Sequence, residues 1–483
     1  MGYPSKKTQN PETMQDQPKS LHFQTALQIA HLIETRQTTS RAVTSYFLDR
    51  IARGSALNAF TEVFTEEALA RADEADRALD EGRVLSPLHG VPVAIKDNIE
   101  VSGTPASAGS LSRLACVSSV TSAAVKRLLD AGMVIVGKTQ MTEFAFGLSG
   151  QNPTRGTPRN PWDSALHRAP GGSSSGAGVA VAAGLVPIAV GGDTGGSIRA
   201  PAALNHLVGF KPSGGLISAD GVVPLAPSLD VLGPISRTVD DTSALTAILS
   251  SVDADYELSA PAKSGQGLTS VGTTKVFVLD EAAFPAAMTA DAHRVWRGVL
   301  DNLGDAGWEL EEWSPGDGLG IGELSERNSL IIGYEGYREH GHLASDPAQP
   351  LWDVVRNRVL AGGDISHEAY EAAVAQRTKA ARALTQSIGP SGVLLMPVSG
   401  HGALPLDDED CRHASIGQFS RAANYLDFPA IALPAGFDDA GMPIGVQLLS
   451  PIRSDARLLL LARAMAPSIR LEQRAPELGF WGL

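Results

Sequence analysis

The sequence predicts an α/β fold, a large β-sheet core covered by helices on both faces. Three observations carry this reading. From residue 86 onward, short apolar runs end in Gly-rich loops and are followed by helical patterns. The same strand texture resumes near the C-terminus, after a long helical stretch. Finally, a chain of 483 residues that is 43% hydrophobic and 19% charged can bury a substantial core.

The elements follow in order. Residues 1–20 are polar and read as a disordered N-terminal tail. Leu27, Leu32 and Ile33, then Val43, Tyr46, Phe47, Arg50 and Ile51, recur at helical spacing, with Thr39 or Ser40 as a start signal. Thr65–Asp80 is a charged helix that stops at Gly82. Val91–Ile95 is a strand ending at Lys96, Ser122–Asp130 a helix, Met133–Val136 a strand and Gln140–Phe146 a helix. Val179–Ala183 reads as a small-residue helix and Pro187–Val190 as a strand running into GGDTGG. Residues 251–270 are Ser/Gly/Pro-rich and read as a surface connection. Strands follow at Lys275–Leu279, Val393–Met396, Ala430–Leu433 and Ile444–Leu449, with helices near 290–303, 367–387 and 454–466. This predicts one large domain (21–483): N-terminal helices 21–85, a core 86–250, a helical insertion at about 280–390, and a C-terminal core segment 391–470.

Composition excludes several classes. Gly (50) and Pro (30) are enriched, but without a repeat, so collagen-like and low-complexity readings fail. The net charge of −14 and the lack of a basic stripe disfavour nucleic acid as a partner. Two distant cysteines, Cys116 and Cys411, give no disulfide framework or thiolate metal site. There is no apolar leader and no run long enough to span a membrane, so the expectation is a cytoplasmic protein.

Three short motifs compete for the chemistry. Gly132–Thr139 matches the phosphate-binding pattern G-x-x-x-x-G-K-[ST]. Its interval, MVIV, is itself a strand, so its amides are used in a ladder and no phosphate cradle forms. Gly172-Ser-Ser-Ser-Gly176 matches the nucleophile elbow G-x-S-x-G, centred on Ser174. An elbow needs a strand before it, and HRAPGG provides none. The third motif, GGDTGGSIRAP (Gly191–Pro201), directly follows a strand and delivers Ser197 to the start of a helix, Ile198–Leu204. Glycines there let successive N–H groups point into one spot, which suits a serine that forms an oxyanion intermediate.

A serine nucleophile needs a base. His206 lies in an apolar run and reads as a satisfied core histidine; EHGH (Glu339–His342) lacks metal-ligand spacing. The alternative is Lys96, at the carboxyl edge of an apolar strand, where α/β proteins build their sites. To accept a proton at pH 7, lysine's ordinary pKa near 10.4 must fall by about 3, roughly 4 kcal/mol, through burial or nearby cations.

Together GVPVAIKDNI (Gly90–Ile99), APGGSSSGAGVAVAAG (Ala169–Gly184) and GGDTGGSIRAPAALNHLVGFKPS (Gly191–Ser213) resemble the amidase signature family. The match is dense from about Pro87 to Thr238, including GKTQMTEFAFG and NPWD (Asn160–Asp163), and returns at NYLDFPAIALPAGF…GMPIGVQLL (Asn424–Leu449). The resemblance implies the amidase signature fold, with a mixed sheet, and a Ser–Ser–Lys triad. Carried over by position, the nucleophile falls on Ser197, the base on Lys96, and the intervening serine, held by a cis peptide bond in the family, on Ser173. Backbone amides of Thr194, Gly195, Gly196 and Ser197 match the family's oxyanion hole. Ser174, Asp193 and Arg199 match positions that support the loop, and Gly147 matches one lining the family's active site. Gly147–Gln151 and the 315–345 stretch are expected to shape the substrate pocket.

The implied activity is hydrolysis of a small or hydrophobic amide, aryl acylamide or carbamate, by a monomer or homodimer that needs no metal or cofactor. The alternative is the glutamine-hydrolysing component of a tRNA amidotransferase. That branch usually has glutamine after the SIR motif, where this chain has Ala200.

Overall fold

The computed structural model describes residues 21–250, 275–408 and 415–483. The expected tail (1–20), the 251–270 connection and Cys411 lie outside them. Eleven strands form one sheet. In chain order they are β1 (Phe60–Val63), β2 (Pro92–Lys96), β3 (Val134–Thr139), β4 (Ile188–Asp193), β5 (Val208–Lys211) and β6 (Val231–Ser236). The C-terminal part adds β7 (Val276–Leu279), β8 (Leu310–Trp313), β9 (Val393–Pro397), β10 (Ala430–Phe437) and β11 (Pro443–Leu449).

The spatial order is β1-β3-β2-β4-β6-β5-β10-β11-β9-β7-β8. β3, β2 and β4 run parallel at one end, and β9, β7 and β8 run parallel at the other. The antiparallel strands β6, β5, β10 and β11 join the two ends. The sheet is therefore mixed, as expected.

Among the described residues the helices are α1 (Ala26–Glu34), α2 (Ser40–Arg53), α3 (Thr65–Asp80), α4 (Ala123–Asp130), α5 (Ser175–Ala182), α6 (Arg199–Ala203) and α7 (Val239–Leu249). They continue with α8 (Ala290–Asp305), α9 (Ile321–Ala344), α10 (Asp353–Ala361), α11 (His367–Ile388), α12 (Arg421–Tyr425) and α13 (Asp455–Ile469). The start signals read from sequence are used: Thr39 and Ser122 cap α2 and α4 by accepting backbone N–H bonds.

Alternation along the strands divides the core. Val93 and Ile95 of β2 pack with Ile29, Phe47, Leu128 and Leu245 on one face. Ala94 packs with Ala177, Val181 and Ala202 on the other. Toward the far end, Ile431, Leu433, Val446 and Leu448 meet Trp296 of α8 and Leu461 of α13.

The GGSSSGAG run is not a linker: α5 begins at Ser175, four residues before the expected Val179. Its small side chains are demanded by close approach. A Cβ on Gly176 would stand 2.2 Å from the Ala59 carbonyl oxygen and 2.5 Å from the Gln140 nitrogen.

Two expectations differ from the structure, and strand β6 was not anticipated. Gln140–Phe146 is not a helix but a single 3₁₀ turn, Glu143–Ala145, with Phe144 and Ala145 at φ of 46° and 62°. Tertiary bonds override its helical pattern: Thr142 N–H donates to Ser173 O, and the Glu143 carboxylate accepts from Ser110 Oγ and Trp352 N–H. β4 runs on through Gly191–Asp193 because those residues pair with Gly233, Leu232 and Val231 of β6. β6 (Val231–Ser236), which no sequence pattern announced, forms despite Gly233 and Pro234 because β4 and β5 pair with it on either side, and a Cβ at Gly233 would stand 2.1 Å from Phe210 O.

Gly176→Ala is expected to destabilise the protein by about 1–3 kcal/mol through overpacking. Gly304→Ala in α8, where a Cβ would meet nothing within 4 Å, should be neutral or stabilising by up to about 1 kcal/mol. Urea unfolding midpoints of the two variants check the contrast.

Candidate active site

Two parallel strands bring the key residues to one edge. Ile95 of β2 is in register with Val190 of β4, so Lys96 ends β2 beside the Gly-rich turn leaving β4. The Lys96 side chain is buried, and its Nζ donates to Ser173 Oγ at 2.7 Å and to Gly192 O at 3.3 Å. Burial pulls the Lys96 pKa down to about 7, against the charges of Asp230 and Asp193, which act to raise it. Burial likewise pushes Asp230 up to about 6, although its carboxylate accepts from Thr194 Oγ1, Leu225 N–H and Ala226 N–H.

Ser173 lies in the turn before α5, and the Gly172–Ser173 peptide bond is cis. Ser174, the centre of the elbow pattern, has its hydroxyl committed: it donates to Gly192 O at 3.1 Å and accepts from Gly192 N–H at 3.2 Å. Its backbone N–H donates to Ser197 O at 3.2 Å, which ties the two serine loops together. The hydroxyl of Ser197 makes no protein hydrogen bond among the described residues.

The loop carrying Ser197 is folded around a buried ion pair. Asp193 and Arg199, both with side chains 0% exposed, meet at 3.2 Å. All five guanidinium donors are used. Nε and Nη2 reach Asp193, Nη2 also reaches Asn424 Oδ1 at 2.6 Å, and Nη1 reaches Ser420 O and Gln447 Oε1 at 2.8 and 2.7 Å. The Asp193 carboxylate accepts in addition from Gly196 N–H at 2.6 Å and Ile198 N–H at 3.1 Å. Burial acts to raise its pKa, but the Arg199 charge and these hydrogen bonds outweigh burial and hold it below the usual carboxylate range.

The Gly196 amide is thus spent on Asp193, which departs from the expected set of four oxyanion donors. Thr194, Gly195 and Ser197 line a cavity of about 320 Å³, and Gly196 is not among its lining residues. Gly147 lines it too, as do Ser329, Ile332 and Gly333 from the 315–345 stretch. Gln151 does not; its amide donates to Leu406 O at 2.9 Å.

Other sequence candidates fall elsewhere. Val134–Val136 of MVIV lie in β3, in register with β2 on one side, while Val136 O accepts from Phe64 N–H on the other. His206 is a core residue, packed between Trp162 and Phe437, but not a satisfied one, since neither ring nitrogen has a hydrogen-bond partner. His340 of EHGH is bonded to Pro224 O. Sequence reasoning assigned no role to Asp230, Arg358, Arg421, Asn424 or Gln447. Asn424 and Gln447 lay inside the C-terminal motif that signalled the resemblance, and Asp230 inside the dense match from Pro87 to Thr238; Arg358 and Arg421 had no such signal.

A family model described as Amidase matches residues 42–459. The chain belongs to the Amidase family. This Amidase-family chain is 34% identical to a glutamyl-tRNA(Gln) amidotransferase component of Deinococcus deserti, over 91% of this chain and 96% of that one. Among solved structures, one described as an amidase matches with a TM-score of 0.82 at 32% identity, covering 92% of this chain and 100% of its own. The corresponding glutamyl-tRNA(Gln) amidotransferase component of Thermotoga maritima matches with a TM-score of 0.75 at 28% identity, covering 95% and 98%. No helix among the described residues is long and apolar enough to cross a membrane.

Arg199→Met leaves Asp193 as an uncompensated buried charge, and a loss of about 3–5 kcal/mol in unfolding free energy is expected. A carboxylate with a depressed folded pKa stabilises the fold above its ordinary pKa and loses that contribution as pH falls. The gap between wild type and Arg199→Met should therefore narrow below about pH 4, as read from urea unfolding at a series of pH values.

Proposed function

We propose that this protein hydrolyses a carbon–nitrogen amide bond through a covalent acyl intermediate on Ser197. The observation that carries this reading is the 2.7 Å contact between Ser173 Oγ and a buried lysine whose pKa is drawn down to about 7. A surface lysine would be fully protonated at neutral pH; this one has a large neutral fraction and can act as a base.

In the proposed sequence neutral Lys96 takes the proton of Ser173, and Ser173 takes that of Ser197. Ser197 Oγ bonds to the carbonyl carbon, and the π pair moves onto oxygen. The N–H groups of Thr194, Gly195 and Ser197 are the candidates to stabilise that oxyanion; one such donor is typically worth about 2.7–4 kcal/mol. As the intermediate collapses, the C–N bond breaks and the proton returns through Ser173 to the leaving nitrogen. Water, deprotonated by the same relay, then attacks the ester and releases the acid and free Ser197. The second link of the relay, Ser173 to Ser197, is unformed in this structure, and such bonds commonly tighten only when substrate is bound.

A second reading is supported by the relatives. The glutamine-hydrolysing component of a tRNA amidotransferase, releasing ammonia for its companion chains, has better backing from relatives 32–34% identical to this chain than a stand-alone amidase on a hydrophobic amide or carbamate. Ala200 and the solved amidase structure speak for the stand-alone enzyme. Ammonia release from glutamine by the isolated chain, compared with that of a preparation co-purified with companion chains, separates the two.

Ser197→Ala should abolish hydrolysis, and Ser173→Ala and Lys96→Met should each lower it at least ~10³-fold. Because the base must be neutral, kcat/KM should fall as pH drops below about 7. The folded lysine has a lowered pKa, so the unfolded chain binds more protons between about pH 7 and 10.4, and folding is penalised most at and below pH 7. Lys96→Met should therefore raise stability at neutral pH while removing activity, measured by thermal unfolding beside the amidase assay.

A further inference from the structure

The turn that carries Ser197 is gripped by two asparagines from distant parts of the chain. Asn424, on α12, donates from Nδ2 to the Asp193 carbonyl at 3.1 Å, and Asn328, on α9, donates from Nδ2 to the Thr194 carbonyl at 3.3 Å. Both peptides are trans. A trans peptide is planar, so its C=O and N–H point in opposite directions. Holding the Asp193 carbonyl therefore fixes the direction of the Thr194 N–H, and holding the Thr194 carbonyl fixes that of the Gly195 N–H. Thr194 and Gly195 both line the cavity beside Ser197. Glycine gives its backbone little preference of its own, so the 194–195 peptide needs such a hold.

Asn328 stands behind the turn. It is buried, and a Cβ on Gly195 would lie 3.3 Å from its Nδ2. Ser329 and Ile332 of the same helix line the cavity, and Asn328 does not. Stability gives a poor account of an amide at this place. Asn424 uses both ends of its side chain, since its Oδ1 accepts from Arg199 Nη2 at 2.6 Å. The Oδ1 of Asn328 is buried with no hydrogen-bond partner among the described residues. An unsatisfied buried acceptor forfeits at least as much as one hydrogen bond contributes. Leucine, of nearly the same shape, would serve the core as well.

We propose that Asn328 is a positioning residue for acyl transfer, keeping the Gly195 N–H aimed at the oxygen that gains charge. This rests on the amide-hydrolase reading and adds to it a residue from α9. Asn328 acts through the 194–195 peptide. Its hydrogen bond orients that peptide and, by polarising it, makes the Gly195 N–H a better donor. The gain grows as charge builds on the oxygen, so it lies in the transition state rather than in binding.

The test is the kinetics of Ser197 labelling by an alkyl fluorophosphonate. Ser197 Oγ bonds to phosphorus, its proton passes to the Ser173–Lys96 relay, fluoride leaves, and charge gathers on the phosphoryl oxygen. In Asn328→Leu the saturating labelling rate should fall at least about tenfold, part of the ~10²–10³-fold that loss of a whole oxyanion donor costs. The reagent concentration for half-saturation and the pH midpoint set by Lys96 should not move, and the thermal unfolding midpoint should hold or rise. Asn328→Ala, which removes the donor without adding methyl groups, should show the same fall in rate. An unchanged saturating rate in either folded variant, a loss confined to the half-saturation concentration, or a rate that falls only in step with the unfolding midpoint would overturn the proposal. The wild-type protein tests the parent reading separately. Absence of a Ser197 adduct there removes the amidase reading, whereas normal wild-type labelling beside an indifferent Asn328→Leu removes only the role of Asn328.

Discussion

The site depends first on the buried pair Asp193–Arg199. A glycine-rich turn has little intrinsic preference for one shape, and here the shape is imposed from beneath. Asp193, at the end of β4, gathers the amides of Gly196 and Ile198, and Arg199, on the first turn of α6, closes the loop back onto Asp193. The remaining donors of Arg199 reach Asn424, Ser420 and Gln447, so the C-terminal segment holds the loop as firmly as its own neighbours do. Removing either charge would leave the other buried and unpaired, which is why the pair acts as a unit.

Lys96 shows a second constraint. A lysine made basic enough to sit comfortably in water is useless as a base at pH 7, and one buried without help destabilises the fold. The structure sets it between these limits. The dry end of β2 lowers its pKa, and Asp230 and Asp193 keep it from falling further. Asp230 is drawn upward by the same burial, so the two groups titrate in overlapping ranges near neutrality.

What could be read from the sequence followed from local pattern. Thr65–Asp80 was legible in full because a charged helical period ends at a glycine with φ of 76°. Strands β2, β3, β4, β7, β9, β10 and β11 were legible as apolar runs, and Lys96, Ser173 and Ser197 by their motifs. The rest depended on partners distant in sequence. β5 and β6 carry glycine or proline that local rules count against a strand, but neighbouring strands pair with them. The long helix α9 contains Gly333, Gly336 and Gly341, which weaken its local signal; two of these face Ile365 and Phe146 at distances no larger residue would allow. The Gly196 amide read as an oxyanion donor because motif position cannot show that a carboxylate three residues back has taken it.

The most direct test of the proposed acyl transfer is the rate and position of covalent labelling by a fluorophosphonate across a range of pH, with peptide mapping of the adduct. The account predicts a single adduct on Ser197, forming more slowly as pH falls below about 7 and almost not at all in folded Lys96→Met protein. An adduct on Ser174, or a rate on Ser197 indifferent to both pH and Lys96, would contradict it.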